Sequence, residues 1–150
     1  PDVAGELPPL DRDGLRERSA AFPLEIPYRL SGMYSVCGDT VLDPFLGTGT
    51  TSLAAMVAGR ASVGYEIEAA FADLFDERVA EAPALSRRIA RRRLAAHREY
   101  VADAEGLSRE AEHYDFPVTT RQERRIRLHA VERVTETDEG YRAVHDPVDG

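Results

Sequence analysis

The chain contains no lysine. That excludes a P-loop, whose Gly-Lys-Ser/Thr end sets a lysine ammonium on the phosphates. All side-chain positive charge is therefore arginine, 19 residues against 27 acids, for a net charge of −8. One cysteine is present, Cys37, so an internal disulfide is excluded and a reducing, cytoplasmic setting is expected. Cys37 stands just before the first expected strand and reads as a small packed residue rather than a nucleophile. No run approaches the roughly 18 apolar residues of a membrane helix, so no membrane partner is expected. The charged start at Pro1 does not read as a signal peptide. Internal repeats and low-complexity tracts are absent. What is there, 150 residues of which 43% are hydrophobic, allows one domain with a real core that buries about 70% of the unfolded surface.

The most informative stretch is Val41-Leu42-Asp43-Pro44-Phe45-Leu46-Gly47-Thr48-Gly49-Thr50-Thr51. It reads as a buried strand, a glycine turn and a helix start. Asp43 falls at the carboxyl end of the strand. Gly47 and Gly49 let the backbone turn sharply and approach a ligand without a Cβ in the way. Thr50 or Thr51 is expected to cap the helix, whose first turn offers free N–H groups. A dinucleotide fingerprint, Gly-x-Gly-x-x-Gly, fits less well: its third glycine is Ser52, and Asp43 would face a pyrophosphate. A purely structural turn accounts for the glycines but not for the Asp-Pro-Phe before them. Downstream, Leu53 to Ala58 fits a short buried helix, and Gly59-Arg60 ends it. Ala61 to Glu66 then reads as a second strand ending in an acid, 17 residues past Gly49. In nucleotide-binding βαβ units an acid at this place accepts hydrogen bonds from ribose hydroxyls; the plainer alternative is a solvated acid at a strand end.

The stretch from Asp43 to Thr51 resembles motif I of the S-adenosylmethionine (SAM) dependent methyltransferases, in the Asp-Pro-Phe-x-Gly-x-Gly-Thr-Thr form of the amino-group DNA methyltransferases. Ala20 to Leu30 resembles motif X of the same family, directly upstream. There Pro27 suits a first helical turn, and Leu30, Met33 and Tyr34 make one apolar stripe. Arg18 and Ser19 stand where His-Pro is common, and Ser31 where a larger apolar residue is usual. The resemblance covers about residues 18 to 75. It implies an α/β fold: a Rossmann-like, SAM-dependent methyltransferase half-domain in three α/β/α layers. Asp43, Pro44, Phe45, Gly47, Thr48, Gly49, Thr50 and Thr51 would hold the methionine part of SAM. Glu66 would hold the ribose, Ile67 would pack on the adenine, and Phe22 and Pro23 would help close the pocket.

Amino methyltransferases also carry a Ser/Asp/Asn-Pro-Pro-Tyr/Phe tetrad, whose first residue and proline carbonyl accept hydrogen bonds from the target amine. Its aromatic residue stacks on a flipped-out base. The chain has no such tetrad; its one Pro-Pro, Pro8-Pro9, is flanked by Leu7 and Leu10. RNA guanine methyltransferases share the loop, but their tetrad follows it, and none follows here. In the permuted β-class of DNA amino methyltransferases the tetrad and recognition region come first, and motifs X, I and II come last. The chain resembles that C-terminal part. The resemblance therefore implies SAM as cofactor, DNA as partner through a full-length enzyme, and a catalytic and recognition half lying upstream. No catalytic residue and no metal site is assigned. The target would be cytosine N4 or adenine N6. A non-catalytic SAM-binding fragment, a split-enzyme subunit, or a nucleotide-dependent oxidoreductase domain remain as alternatives. The acidic balance argues against non-specific DNA binding by this piece at low salt. Either the DNA-contacting groups lie elsewhere, or the surface is of the acidic, salt-loving kind in which such attraction is screened.

Residues 68 to 104 are helical in pattern, with Phe71, Leu74, Phe75 and Val79 on one face and a break near Pro83. The second helix carries Arg87, Arg88, Arg91, Arg92, Arg93 and Arg98, which reads either as a phosphate-contacting cluster or as a solvated face paired with acids. Residues 105 to 120 look like a polar connection, and His113-Tyr114-Asp115 matches no metal or triad spacing. From Ile126 to His145 the chain turns β-like around the Asp138-Glu139-Gly140 turn, giving a terminal hairpin, with Asp146 to Gly150 expected to fray. The expected organisation is an extended arm over 1–17, a SAM-binding α/β region over 18–104, and a connection with a C-terminal β-hairpin over 105–150.

Overall fold

A computed structural model describes residues 22–149 of the chain. The expected arm over 1–17, and Arg18 to Ala21 at the start of the second motif, lie outside the described residues. The fold is mixed α/β and divides into two compact units, one ending at Ala82 and the other beginning at Pro83.

The first unit holds helix α1 (Glu25–Tyr34), strand β1 (Thr40–Asp43), helix α2 (Thr50–Val57), strand β2 (Ala61–Gly64) and helix α3 (Ala69–Ala80). Pro27 sits in the first turn of α1, where its missing N–H costs nothing, and Glu25 pairs with Arg29 one turn on at 2.7 Å. The stripe of Leu30, Met33 and Tyr34 is not buried; the helix buries Pro27 and Ser31 instead. Helix α1 packs against α2, and its small residues allow a close approach that the large ones would block. Its last turn is held by Arg60, whose guanidinium donates to the Ser35 carbonyl (2.7 Å) and the Ser35 hydroxyl (3.0 Å), and also to the Ala58 carbonyl. A cation on the final carbonyls of a helix suits its dipole.

Strands β1 and β2 are parallel, with Thr40 opposite Ala61 and Asp43 opposite Gly64. Helix α2 joins them and packs on both. It is apolar on nearly every side and buries Leu53, Ala54, Ala55 and Val57. Gly59, at φ +74, ends it, and the Gly59 N–H returns to the Met56 carbonyl, as the left-handed residue after a helix should. The pair Leu42–Val63 lies on the opposite face of the sheet and stays 63% and 45% exposed. Parallel sheets are ordinarily covered on both faces. Among the described residues this one has two strands and this exposed apolar pair.

The second unit holds helix α4 (Ala82–Asp103), strands β3 (Arg109–Glu110) and β4 (Pro117–Val118), a 3-10 turn (Gln122–Arg125), and the hairpin β5 (His129–Thr137) and β6 (Gly140–Pro147). The helical break falls at Glu81, and Pro83 takes the first turn of α4, the position it tolerates best. The composition sets a boundary at 104/105, whereas the structure groups α4 with the elements after it. Leu94 of α4 shares a core with Tyr114, Phe116 and Val118, and the buried Ser86 hydroxyl accepts a hydrogen bond from the Val131 N–H at 3.0 Å. The stretch 105–120 is therefore no mere connection. Its residues 114, 116 and 118 alternate inward, a period of two that marks a half-buried strand. Tyr114 stacks on Phe116 with ring centroids 5.1 Å apart.

The terminal hairpin forms where expected and pairs only with itself, as an antiparallel two-stranded sheet. A bulge between Val131 and Arg133 explains why its apolar alternation slips there, since one extra residue reverses the faces. Its tail does not fray where expected: Asp146 and Pro147 belong to β6, and the Val148 N–H bonds the Leu128 carbonyl at 2.9 Å. The buried Tyr114 hydroxyl closes this end, accepting from the Leu128 N–H (2.8 Å) and donating to the Val148 carbonyl (3.1 Å). Tyr114→Phe leaves both backbone groups short of a partner and is expected to lower stability by about 1–3 kcal/mol, read from urea unfolding; an unchanged midpoint would contradict this role.

Candidate functional site

The register sets the site. Because Asp43 lies opposite Gly64, the two strands end side by side, and Glu66 follows two residues beyond. Crevices outside the carboxyl ends of parallel strands are where open α/β sheets take ligands. The ladder runs on past the strands: the Tyr65 N–H bonds the Asp43 carbonyl (3.0 Å), and the Leu46 N–H bonds the Tyr65 carbonyl (2.9 Å). Leu46 also lies over Gly64, where an added Cβ would stand 2.6 Å from a Leu46 methyl.

Asp43 is half-buried. Its Oδ1 accepts a hydrogen bond from the Phe45 N–H at 3.1 Å, the Asx-turn that starts a loop after an aspartate. Glu66 reaches across to the glycine loop, where its Oε2 accepts from the Gly47 N–H at 2.7 Å. Its Oε1 accepts from its own neighbours, the N–H groups of Ile67 (2.8 Å) and Glu68 (2.9 Å). These bonds, that from Glu68 first, hold its pKa below the usual glutamate value, against a smaller opposing effect of burial. Asp43 and Glu66 thus bracket the loop through its backbone. Two carboxylates here suit a cationic amine and a diol and disfavour a phosphate.

Of the other expected residues, Thr48, Gly49 and Thr50 are buried, while Pro23, Gly47 and Thr51 are half-buried. Pro44 is exposed. Phe45 and Ile67 stand out in solvent, at 87% and 104% exposed, an arrangement open to a planar apolar group. Phe22 is brought near a different edge. It lines an apolar groove of about 450 Å³ with Ile26, Leu30, Tyr34 and Val41, and Thr51 is the expected site residue it shares that groove with. The helix cap differs from expectation: Gly49, at φ +70, is the cap of α2, and no side chain caps its N-terminus. The left-handed turn takes the place a threonine cap would have filled.

Sequence reasoning missed Arg78. From α3 its Nη1 donates to the Thr48 carbonyl, to the Thr48 hydroxyl (3.2 Å) and to the Thr50 hydroxyl (3.0 Å). The two hydroxyls also meet each other at 3.2 Å. Burial pulls the Arg78 pKa down from its usual value, and the Glu81 carboxylate opposes that. The signal was available: residues 71, 74, 75, 78 and 79 share one helix face, and an arginine there stands inside an apolar stripe. Phe75 on that face lies against Gly49, where an added Cβ would fall 2.1 Å from the ring. No group of residues suited to a metal occurs among the described residues, and no helix among them is long and apolar enough to cross a membrane.

Residues 8–77 match the family model of the DNA methylases, N6_N4_Mtase. The chain is 49% identical over 128 residues to the type II methyltransferase M.MthZI of Methanothermobacter thermautotrophicus, covering 85% of this chain and 36% of that protein. It is 52% identical over 65 residues to the type II methyltransferase M.MjaI of Methanocaldococcus jannaschii, covering 43% of this chain and 22% of that one. Among solved structures, TTHA0409 of Thermus thermophilus, complexed with S-adenosyl-L-methionine, shares 53% identity over 38% of this chain and 24% of its own, at a TM-score of 0.37. The chain is thus similar to DNA methylases over residues 8–77 and to a type II methyltransferase over most of its length. The chain spans about a third or less of the length of these two curated relatives.

Two outcomes test the loop geometry. Gly49→Ala meets both the left-handed strain of about 1–2 kcal/mol and the Phe75 ring. Gly47→Ala meets only the strain, since the nearest atom to its Cβ is 3.8 Å away. The first is expected to destabilise clearly more than the second in thermal unfolding, and equal losses would show that Phe75 does not press on the loop. For Glu66, whose folded pKa is depressed, the stabilisation is complete above the unfolded value of about 4.3 and is lost as pH falls through the folded value. Glu66→Gln should therefore narrow the stability gap between neutral and acid pH, and an unaltered pH profile would sink that assignment.

Proposed function

We propose that this chain is the SAM-binding part of a β-class DNA methyltransferase acting on the exocyclic amine of cytosine (N4) or adenine (N6). The observation that carries the reading is the pair of carboxylates, Asp43 and Glu66, bracketing a glycine loop at the ends of parallel strands. Asp43 would receive the ammonium of the methionine part, and the loop from Pro44 to Thr51, with the free N–H groups that open α2, would hold the rest of that part. Glu66 would receive the ribose hydroxyls. Its Oε1 already holds two backbone N–H groups and its Oε2 one, so Oε2 keeps a lone pair for a hydroxyl. Ile67 would pack on the adenine, and Phe22 and Pro23 would help close the pocket. When bound, the cofactor supplies an electrophilic methyl group. The chain's own residues would position and desolvate it, and no catalytic residue is assigned among them.

The Pro-Pro-Tyr/Phe half is proposed to come from a segment or subunit outside this chain. The small share of its relatives that the chain spans and the absence of that tetrad from the sequence support this. The full sheet would then have three layers, with the Leu42–Val63 face covered. As the relatives are named type II methyltransferases, a restriction partner for the full enzyme is part of the proposal, and so is a cytoplasmic setting.

Calorimetric titration of SAM and, separately, of NAD, at low and at molar KCl, tests the reading. SAM is expected to saturate one site and NAD to give no heat. Asp43→Ala is expected to remove SAM binding while the chain stays folded. NAD binding that survives Asp43→Ala would instead favour a dinucleotide domain.

A further inference from the structure

We propose that the exposed face of α4 bearing Arg87, Arg88 and Arg91 is a docking surface for the phosphate backbone of duplex DNA. The inference rests on the DNA-methyltransferase reading and adds to it a contact outside the cofactor site.

Charge is divided unevenly along the chain. Thirteen of the 19 arginines follow Ala82, balanced there by thirteen acids, so the segment through Ala82 carries the whole net charge of −8. The cofactor site, with Asp43 and Glu66, repels phosphate. Any attraction of this chain for a polyanion must come from the second unit.

Within that unit, some arginines are paired with acids. Arg98 meets Asp115 at 2.7 Å, Arg124 and Arg125 both face Glu112 at 3.8 Å, and Arg133 meets Glu132 at 3.1 Å. Arg87, Arg88 and Arg91 differ from these, as do the exposed Arg121, Arg127 and Arg142, but only the first three share one face of a helix. All three are exposed, and none makes a hydrogen bond or ion pair with another described residue. They sit at i, i+1 and i+4, on the other side of the helix from the buried Ser86, Ile89 and Ala90. Among the described residues this face carries three exposed positive charges without an acid partner, on a helix anchored through Ser86 and Leu94. Arginine, with its planar fork of donors, suits phosphate oxygens.

The family model ends at residue 77, yet the match to M.MthZI covers 128 residues, more than the first unit holds, so it extends into the second unit. A DNA methyltransferase relative therefore shares much of this unit beyond the family segment.

The test is fluorescence anisotropy of a labelled random-sequence duplex with the full chain over a KCl series. It compares the wild type, the triple variant Arg87→Gln/Arg88→Gln/Arg91→Gln, and a charge-matched control, Arg109→Gln/Arg125→Gln/Arg133→Gln. Each phosphate neutralised adds about 0.9 to the slope of log K against log salt. The triple variant is expected to flatten that slope by about 2.7, or 0.9 for each of three contacts, and the control to leave it unchanged. No duplex binding by the wild type, or equal flattening in both variants, overturns the proposal. Arginine-dependent binding of poly-glutamate without binding of DNA also overturns it, in favour of an acidic protein partner. SAM titration of the same samples separates the two readings. Retained SAM binding with no effect on DNA removes only this surface. Lost SAM binding with the arginine effect intact removes only the cofactor assignment.

Discussion

The loop from Pro44 to Gly49 is gripped by two ions of opposite sign, and the rest of the first unit is arranged around that grip. The Glu66 carboxylate takes the Gly47 N–H, and the Arg78 guanidinium takes the Thr48 carbonyl and two threonine hydroxyls. One anchor comes from the end of β2 and the other from α3, so a loop of a few residues is fixed by segments far from it in sequence. Phe75 adds a steric limit that only glycine satisfies at position 49. Hydrogen bonds to charged groups are stronger than neutral ones. That strength suits a loop which must present its backbone N–H groups to a ligand instead of burying them.

The same grip explains the chemistry the site favours. A glycine loop opening onto a helix N-terminus is ordinarily a phosphate cradle. Here the carboxylates at either end reverse its preference, toward a cation on one side and hydroxyls on the other. Glu66 serves both structure and site, because its oxygens already hold the turn in which Ile67 stands out in solvent. The exposed apolar residues Phe45, Ile67, Leu42 and Val63 all lie along the carboxyl half of this small sheet or just beyond it. They are surfaces awaiting a ligand or a further layer, where an isolated globular unit would have buried them.

The second unit is built differently. Its sheets among the described residues are two-stranded, and buried polar anchors tie them in: Tyr114 ties the hairpin tail to its own core, and Ser86 ties the hairpin bulge to α4. Such anchors fix one arrangement where a small apolar core would leave several, since an unmade buried hydrogen bond is costly. His97 and Arg98 pack against Phe116 on the outside of that core, the His97 ring 4.6 Å from it by centroid.

The sequence by itself determined the strand–loop–helix–strand order, the glycine positions, the helical break near Pro83 and the hairpin. These rest on local rules: which residues tolerate positive φ, which repeat at the helical period, which end a helix. It also placed Asp43 and Glu66 at the ends of neighbouring strands, because parallel pairing through a short helix leaves little freedom in register. Only the tertiary structure decided which face of α1 is buried, since small residues there won over the apolar stripe for closeness to α2. Tertiary packing alone also brought Arg78 against the loop and drew Tyr114, Phe116 and Val118 into a core, and it paired Arg98 with Asp115 while Arg87, Arg88 and Arg91 on the same helix meet no acid among the described residues. Those outcomes depend on contacts between residues distant in sequence, and local spacing carries no information about what lies across the gap.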